Sequence, residues 1–142
     1  MMNILFLCAG NSCRSQMAEG WARALADDNF RVQSAGIEAH GKNPLAIAVM
    51  AEAGQDILQQ ESTRVDTAML AAADLVVTVC GHADEHCPVL PPGTHKERWP
   101  LDDPAKATGS EAEIMAVFRA SRDEIRQRVE ALLKRLQAGS AA

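Results

Sequence analysis

The sequence predicts an α/β fold, a single three-layer αβα domain built on a four-stranded parallel sheet. Two observations predict it. Short apolar, β-branched runs alternate with segments of helical period along the whole 142-residue chain, and no repeat or linker interrupts them. Alternation of this kind requires crossover connections, which place helices on both faces of a parallel sheet.

Asn3 to Leu7 is an apolar run of strand length. It stops at the polar turn Cys8-Ala9-Gly10-Asn11-Ser12-Cys13-Arg14-Ser15. From Gln16 to about Ala26 the period becomes helical, with Met17, Trp21 and Leu25 four residues apart on one face. Arg31 to Ala35 reads as a second strand, stopped by Gly36. Asn43-Pro44 supplies an N-cap and a first-turn proline for a helix through Ile47 and Met50, closed by Gly54. A shorter helix follows from Thr67 to Ala73 with Asp66 as cap. Leu75 to Val79 is the clearest strand and ends at Cys80. The next two dozen residues hold Gly81 and five of the six prolines, and read as a long loop with one short strand near Trp99. Ser110 with Glu113 makes a capping box for a long helix. Its apolar face carries Ile114, Val117, Phe118, Ile125, Val129, Leu132, Leu133 and Leu136. Gly139 is expected to end that helix, and residues 139–142 to fray.

Composition narrows the function. Hydrophobic residues make up 47% and charged residues 23%, the balance of a globular domain able to bury its own core. A net charge of -5 argues against nucleic acid as a partner. It leaves room for a small anion, because backbone N–H groups can create a local positive site. No run reaches the roughly 18 apolar residues of a membrane span, and Ile4-Leu5-Phe6-Leu7 is too short for a signal-peptide core. The chain is therefore read as cytoplasmic, and a monomer is expected. In a reducing compartment its four cysteines are expected to be reactive or buried rather than bridged.

Open parallel sheets place their sites beyond the carboxyl ends of the strands. Cys8 and Cys80 both stand there. A cysteine, five residues and an arginine, followed by a helix, let the chain curl into a cup. The backbone N–H groups of Ala9, Gly10, Asn11, Ser12, Cys13 and Arg14 can then point inward at the positive end of the helix dipole. A tetrahedral oxyanion would be held there by those donors and the forked Arg14 guanidinium. The same field is expected to lower the Cys8 pKa below the roughly 8.5 of a free thiol, and Ser15 to hydrogen-bond the sulfur. No Gly-Lys-[Ser/Thr] follows the turn, so a nucleotide loop is excluded.

Cys8-Ala-Gly-Asn-Ser-Cys-Arg-Ser15, continued by Gln16-Met-Ala-Glu-Gly-Trp21, resembles the thioredoxin-coupled arsenate reductases, which share the fold and anion loop of low-molecular-weight protein tyrosine phosphatases. The resemblance continues through Ser34 to Gly41, Asp74 to Cys80, Cys87-Pro88 and Trp99 to Pro104, nearly the whole chain. It implies that Cys8 attacks arsenate while Asp103, before Pro104, is the general acid. Cys80 then resolves the adduct, and Cys87 draws the disulfide to a Cys80–Cys87 pair that thioredoxin reduces. That chemistry requires no metal or organic cofactor. Some relatives bind a monovalent cation through residues matching Asn11, Glu19 and Ser34 and an aspartate after Ser62; Thr63 stands there here, which removes a charged ligand.

Two electrons turn arsenate into arsenite, and joining two thiols supplies two. Cys80 and Cys87 therefore favour a reductase over a phosphatase, which needs one cysteine and water. The phosphatases of this fold carry tyrosines around the pocket; this chain has no tyrosine, and Ala105 follows Asp103-Pro104. Glutaredoxin with glutathione is the competing reductant. A zinc-binding regulator built on Cys80, His82, His86 and Cys87 is the non-enzyme alternative, but the tight Cys-x-His and His-Cys spacings are poor chelate geometry. Asn11 is expected to tolerate a left-handed conformation and bond loop backbone. Cys13 reads as a small packing residue, Asp102 as a solvated neighbour of Asp103, and His95, Lys96 and Arg98 as a solvated basic patch.

Overall fold

The computed structural model describes residues 1–140, with side chains to 138. Four parallel strands form one sheet: β1 (Met2–Cys8), β2 (Phe30–Gly36), β3 (Leu75–Thr78) and β4 (His95–Arg98), in the order β2-β1-β3-β4. The helices are α1 (Arg14–Leu25), α2 (Pro44–Glu52), α3 (Thr67–Ala72), α4 (Gly81–Glu85) and α5 (Glu111–Ser140), with a short 3-10 turn at Pro104–Lys106. The α/β class and the four-stranded parallel sheet are those the sequence predicts.

Central β1 is buried from Ile4 to Cys8, so both faces of the sheet are covered. On one side α1, α2 and α5 pack against one another. Met17 and Trp21 of α1 meet the buried stripe Phe118, Ile125, Val129, Leu132 and Leu133 of α5. The Trp21 indole N–H donates to the Arg122 carbonyl at 3.2 Å, and the Arg126 guanidinium stacks 4.8 Å above its ring. Helices α3 and α4 pack against β1, and α4 also against β3. Beyond the exposed edge strand β4, Trp99 turns inward onto Phe6, ring centroids 5.7 Å apart.

Caps form where the sequence places them. Asn43 Oδ1 accepts from Leu45 N–H, Asp66 Oδ1 from Met69 N–H, and Ser110 and Glu113 exchange a reciprocal pair of hydrogen bonds. Four expectations need correction. Helix α5 runs through Gly139 to Ser140, because one glycine costs less than the stacked turns before it contribute; residues 141–142 lie outside the described residues. Val117 and Leu25 are partly exposed, at 43% and 37%. Val117 sits on the flank of the α5 stripe, and Leu25 ends its helix. The expected long loop after Cys80 contains a helix, α4, whose N-terminal N–H at Ala83 is capped by the Cys80 sulfur at 3.3 Å. A five-residue helix capped by sulfur carries no periodic signal.

Candidate active site

The strand order reverses at β1, whose crossovers depart in opposite directions, and the site lies at the carboxyl ends there. In the β1–β3 ladder Leu7 pairs with Thr78, and Val79 N–H donates to the Leu7 carbonyl at 2.9 Å. Cys8 and Cys80 are the next residues out. Their Sγ atoms stand 3.9 Å apart, both buried.

The segment after β2 shapes the cup. The carbonyls of Cys8, Ala9, Gly10 and Ser12 accept from the N–H groups of Ile37, Glu38, His40 and Asn43. The Asn11 carbonyl accepts from Gln16 Nε2 at 3.1 Å, and the Cys13 carbonyl from Met17 N–H. Every carbonyl from Cys8 to Cys13 is thus turned outward and satisfied. Among the described residues, the N–H groups of Gly10, Asn11, Ser12 and Cys13 have no protein acceptor, so donors line the inside. Two glycines make the close approach possible. A Cβ on Gly36 would stand 2.7 Å from Asn11 N, and one on Gly10 would collide with the His40 ring.

Asn11 locks the loop. It takes the left-handed region at φ 50°, as its residue type allows. Its Nδ2 donates to the Ser15 and Ser34 hydroxyls at 2.8 and 3.0 Å, and its Oδ1 accepts from Thr63 N–H at 2.8 Å. Ser15 is fully buried with its hydroxyl on Asn11, whereas the hydrogen bond of the Cys8 sulfur is made with Cys80. The expected Ser15–Cys8 contact is replaced by a place in the loop's internal network.

The Arg14 fork enters from the first turn of α1. Nη1 donates to the Leu101 carbonyl at 2.9 Å and Nη2 lies 3.7 Å from Asp103 Oδ2, while buried Nε has no acceptor. Cys8, Ala9, Gly10, Ser12, Cys13, Arg14, His40, Asp103 and Ala105 enclose a cavity of about 240 Å³. It lies beside a wider vestibule that is walled by Cys80, His82, Leu101, Asp102 and Lys106 and shares Ala9, Arg14, His40 and Asp103. Asp103 also caps the 3-10 turn through Ala105 N–H, which fixes its carboxylate at the mouth. Cys87 lines neither space and is half-buried beyond α4.

One hydrogen bond links the two sulfurs, and it works against the lowered pKa expected for Cys8. Its hydrogen bond to Cys80, then burial, push the Cys8 thiol up, with Arg14 opposing. The same hydrogen bond, received from Cys8, pulls Cys80 down, helped by Ala83 N–H and Arg14. Loss of the first proton from the pair is favoured and loss of the second resisted. Sequence spacing cannot show a second sulfur at this distance. Burial pushes the Cys13 thiol to about 11, with the Asp103 charge adding to it.

The cation position of some relatives does not fit here. Glu19 Oε1 accepts from the Ser34 hydroxyl at 2.5 Å and Oε2 from Arg23 at 2.7 Å, while Thr63 brings no carboxylate. Arg23 already pairs with the buried Glu19 carboxylate. The zinc alternative also finds no support: His82 and His86 stack on each other at 4.2 Å, and no group of three potential ligands forms among the described residues. Lys96 and Arg98 are not merely solvated; both pair with Asp84.

One lining residue was missed from sequence. His40 closes part of the cup, its Nε2 2.8 Å from the Glu38 carboxylate. The signal was available, since it follows the carboxyl end of β2 just as Cys8 and Cys80 follow theirs.

Comparison with known proteins agrees with this geometry. The model of the low molecular weight phosphotyrosine protein phosphatase family matches residues 3–142. A protein of Bacillus licheniformis named arsenate reductase is 56% identical over 126 residues, 89% of this chain and 91% of its own. The structure of an arsenate reductase in the phosphate-binding state superposes with a TM-score of 0.78 at 37% identity, covering 95% of this chain and 98% of that one. The thioredoxin-dependent arsenate reductase of Corynebacterium glutamicum gives 0.79 at 27% identity, covering 98% of this chain and 63% of that one. With its cup, its paired sulfurs and these relatives, the chain belongs to the low molecular weight phosphotyrosine protein phosphatase family and stands among its arsenate-reductase members.

Proposed function

We propose that this enzyme reduces arsenate to arsenite through Cys8, Cys80 and Cys87, with thioredoxin as the external dithiol. The observation that carries the reading is the 3.9 Å separation of the Cys8 and Cys80 sulfurs at the rim of an anion cup. A phosphatase has no use for a second sulfur within reach of its nucleophile.

The inward N–H groups, from Ala9 to Arg14, and the Arg14 fork hold the tetrahedral anion, Arg14 Nε gaining the acceptor it lacks. Passing the hydrogen-bonded proton to Cys80 leaves the charge on Cys8, which attacks arsenic. An arsenic–oxygen bond breaks and the oxygen leaves as water, protonated by Asp103. Cys80, having released its proton, attacks the Cys8 sulfur. The S–S bond forms, the As–S electron pair returns to arsenic, and arsenic(V) becomes arsenic(III). Cys87 next attacks Cys80 and frees Cys8 as a thiol. Cys80 and Cys87 flank the five residues of α4, whose helical rise of about 7.5 Å already exceeds the roughly 7 Å a disulfide tolerates. Helix α4 must therefore unwind for that step.

NADPH consumption with arsenate tests the reading, with thioredoxin and its reductase set against glutathione and glutaredoxin. The thioredoxin system should sustain turnover, and Cys8→Ser, Cys80→Ser and Cys87→Ser should each abolish it while Cys13→Ser does not. Full thioredoxin-linked activity in Cys87→Ser removes the third thiol from the scheme. Phosphotyrosine hydrolysis without arsenate turnover would replace the reductase by a phosphatase.

A further inference from the structure

We propose that Asp84 is a clasp that holds α4 folded against β4, and so is a positioning residue setting how readily Cys87 reaches Cys80. The proposal rests on the three-thiol reading above.

Helix α4 has only five residues, too few to hold together on local hydrogen bonding alone. Something outside it must keep it wound. Its apolar anchorage is slight: within Gly81–Glu85 only Ala83 is buried. Its polar anchorage converges on one side chain. Asp84 Oδ1 lies 2.7 Å from Lys96 Nζ and accepts from the Thr78 hydroxyl at 3.3 Å, while Oδ2 lies 3.5 Å from Arg98 Nη1. Lys96 Nζ also donates to the Asp84 carbonyl at 3.3 Å. One carboxylate in the fourth position of the helix is thus tied to the last residue of β3 and to two residues of β4.

The tie lies between the two cysteines that must meet. Cys80 caps the start of α4 through Ala83 N–H, and Cys87 follows its end. Lys96 and Asp84 are also the charges that act on the Cys87 thiol. While the clasp is closed, Cys80 is held facing Cys8; when it opens, the chain between Cys80 and Cys87 can fold back. The groups are one-fifth to two-thirds exposed, so the clasp is weak enough to open within a catalytic cycle and sensitive to salt.

Hydrogen exchange and quenched single turnover test this on the full chain. In Asp84→Ala, the Ala83, Asp84 and His86 amides should exchange about three- to tenfold faster. After one equivalent of arsenate without reductant, alkylation and mass spectrometry should show the Cys80–Cys87 disulfide replacing Cys8–Cys80 faster by a similar factor. The KM for arsenate should stay unchanged. Lys96→Met should act in the same direction, Asp84→Glu should restore part of the protection, and added salt should speed wild-type exchange but not that of Asp84→Ala. Unchanged amide exchange in Asp84→Ala overturns the clasp. Faster exchange with an unchanged rate of disulfide transfer overturns its control of Cys87. If no Cys80–Cys87 disulfide forms in wild type, the relay itself fails, and amide exchange alone decides whether Asp84 clasps α4.

Discussion

The Cys8 and Cys80 sulfurs sit 3.9 Å apart in one hydrogen bond, with Arg14 acting on both. Ultraviolet titration of thiolate absorbance should therefore show one proton leaving this pair below the usual thiol range and the other only far above it. Cys80→Ala removes the largest influence raising Cys8, so the Cys8 titration should fall. Cys8→Ser should raise Cys80, because a serine hydroxyl donates a weaker hydrogen bond to the thiolate. Two independent titrations near the ordinary thiol value in wild type would contradict the hydrogen bond between the sulfurs.

Arg14 grips through a fork whose Nη1 is fixed by the Leu101 carbonyl. Arg14→Lys keeps the charge and loses the fork. Its kcat/KM for arsenate should drop by about 100- to 1000-fold, with the melting temperature little changed. A loss below roughly tenfold would mean that charge alone suffices.

Asp103 lies 3.7 Å from Arg14 and faces the same cavity as Cys13. Asp103→Asn should lower kcat by about 100- to 10,000-fold and leave arsenate binding nearly intact. It should also lower the Cys13 titration from about 11, because the carboxylate charge is one of its two raising influences. Paired measurement of kcat and of Cys13 alkylation against pH checks both.

Buried Asn11 combines a left-handed backbone with three side-chain hydrogen bonds. Asn11→Ala should destabilise the fold by about 2–4 kcal/mol, from strain and orphaned partners together. Asn11→Gly relieves the strain and should lose less. Denaturant unfolding of the two variants separates the terms; equal losses would leave the backbone conformation without energetic weight.

The Asp84 carboxyl is held below its usual range, first by the Lys96 hydrogen bond and against some desolvation. A carboxyl so depressed stabilises its surroundings at pH above its unfolded value and stops doing so as pH falls through the folded one. Protection of the α4 amides should therefore be flat from neutral pH down to the ordinary aspartate range, decline as pH falls through that range and be lost below it. Collapse near pH 6 would assign the tie to another group.

Much of this molecule is legible from its residues. The apolar runs ending at Cys8 and Cys80 announced both strands and the shared edge, and the Ser110–Glu113 pair announced the start of α5. Side-chain destinations were harder. Ser15 serves Asn11, whose left-handed residue brings its side-chain amide onto the hydroxyl, and no spacing reveals that. Helix α4 escaped notice because its stability comes from Lys96 and Arg98, a dozen or more residues downstream. His40 escaped because its partner in shape is a missing side chain, that of Gly10.

The pairing of Leu7 with Thr78 has a consequence for how such a protein can change over time. Electron transfer depends on the reach between two atoms, and that reach is set by backbone ladder bonds that any side chain permits. Apolar substitutions of similar volume along both strands leave that reach unchanged. Deleting one residue in front of either cysteine would displace its sulfur by about 3.3 Å and turn it to the opposite side, ending the reaction.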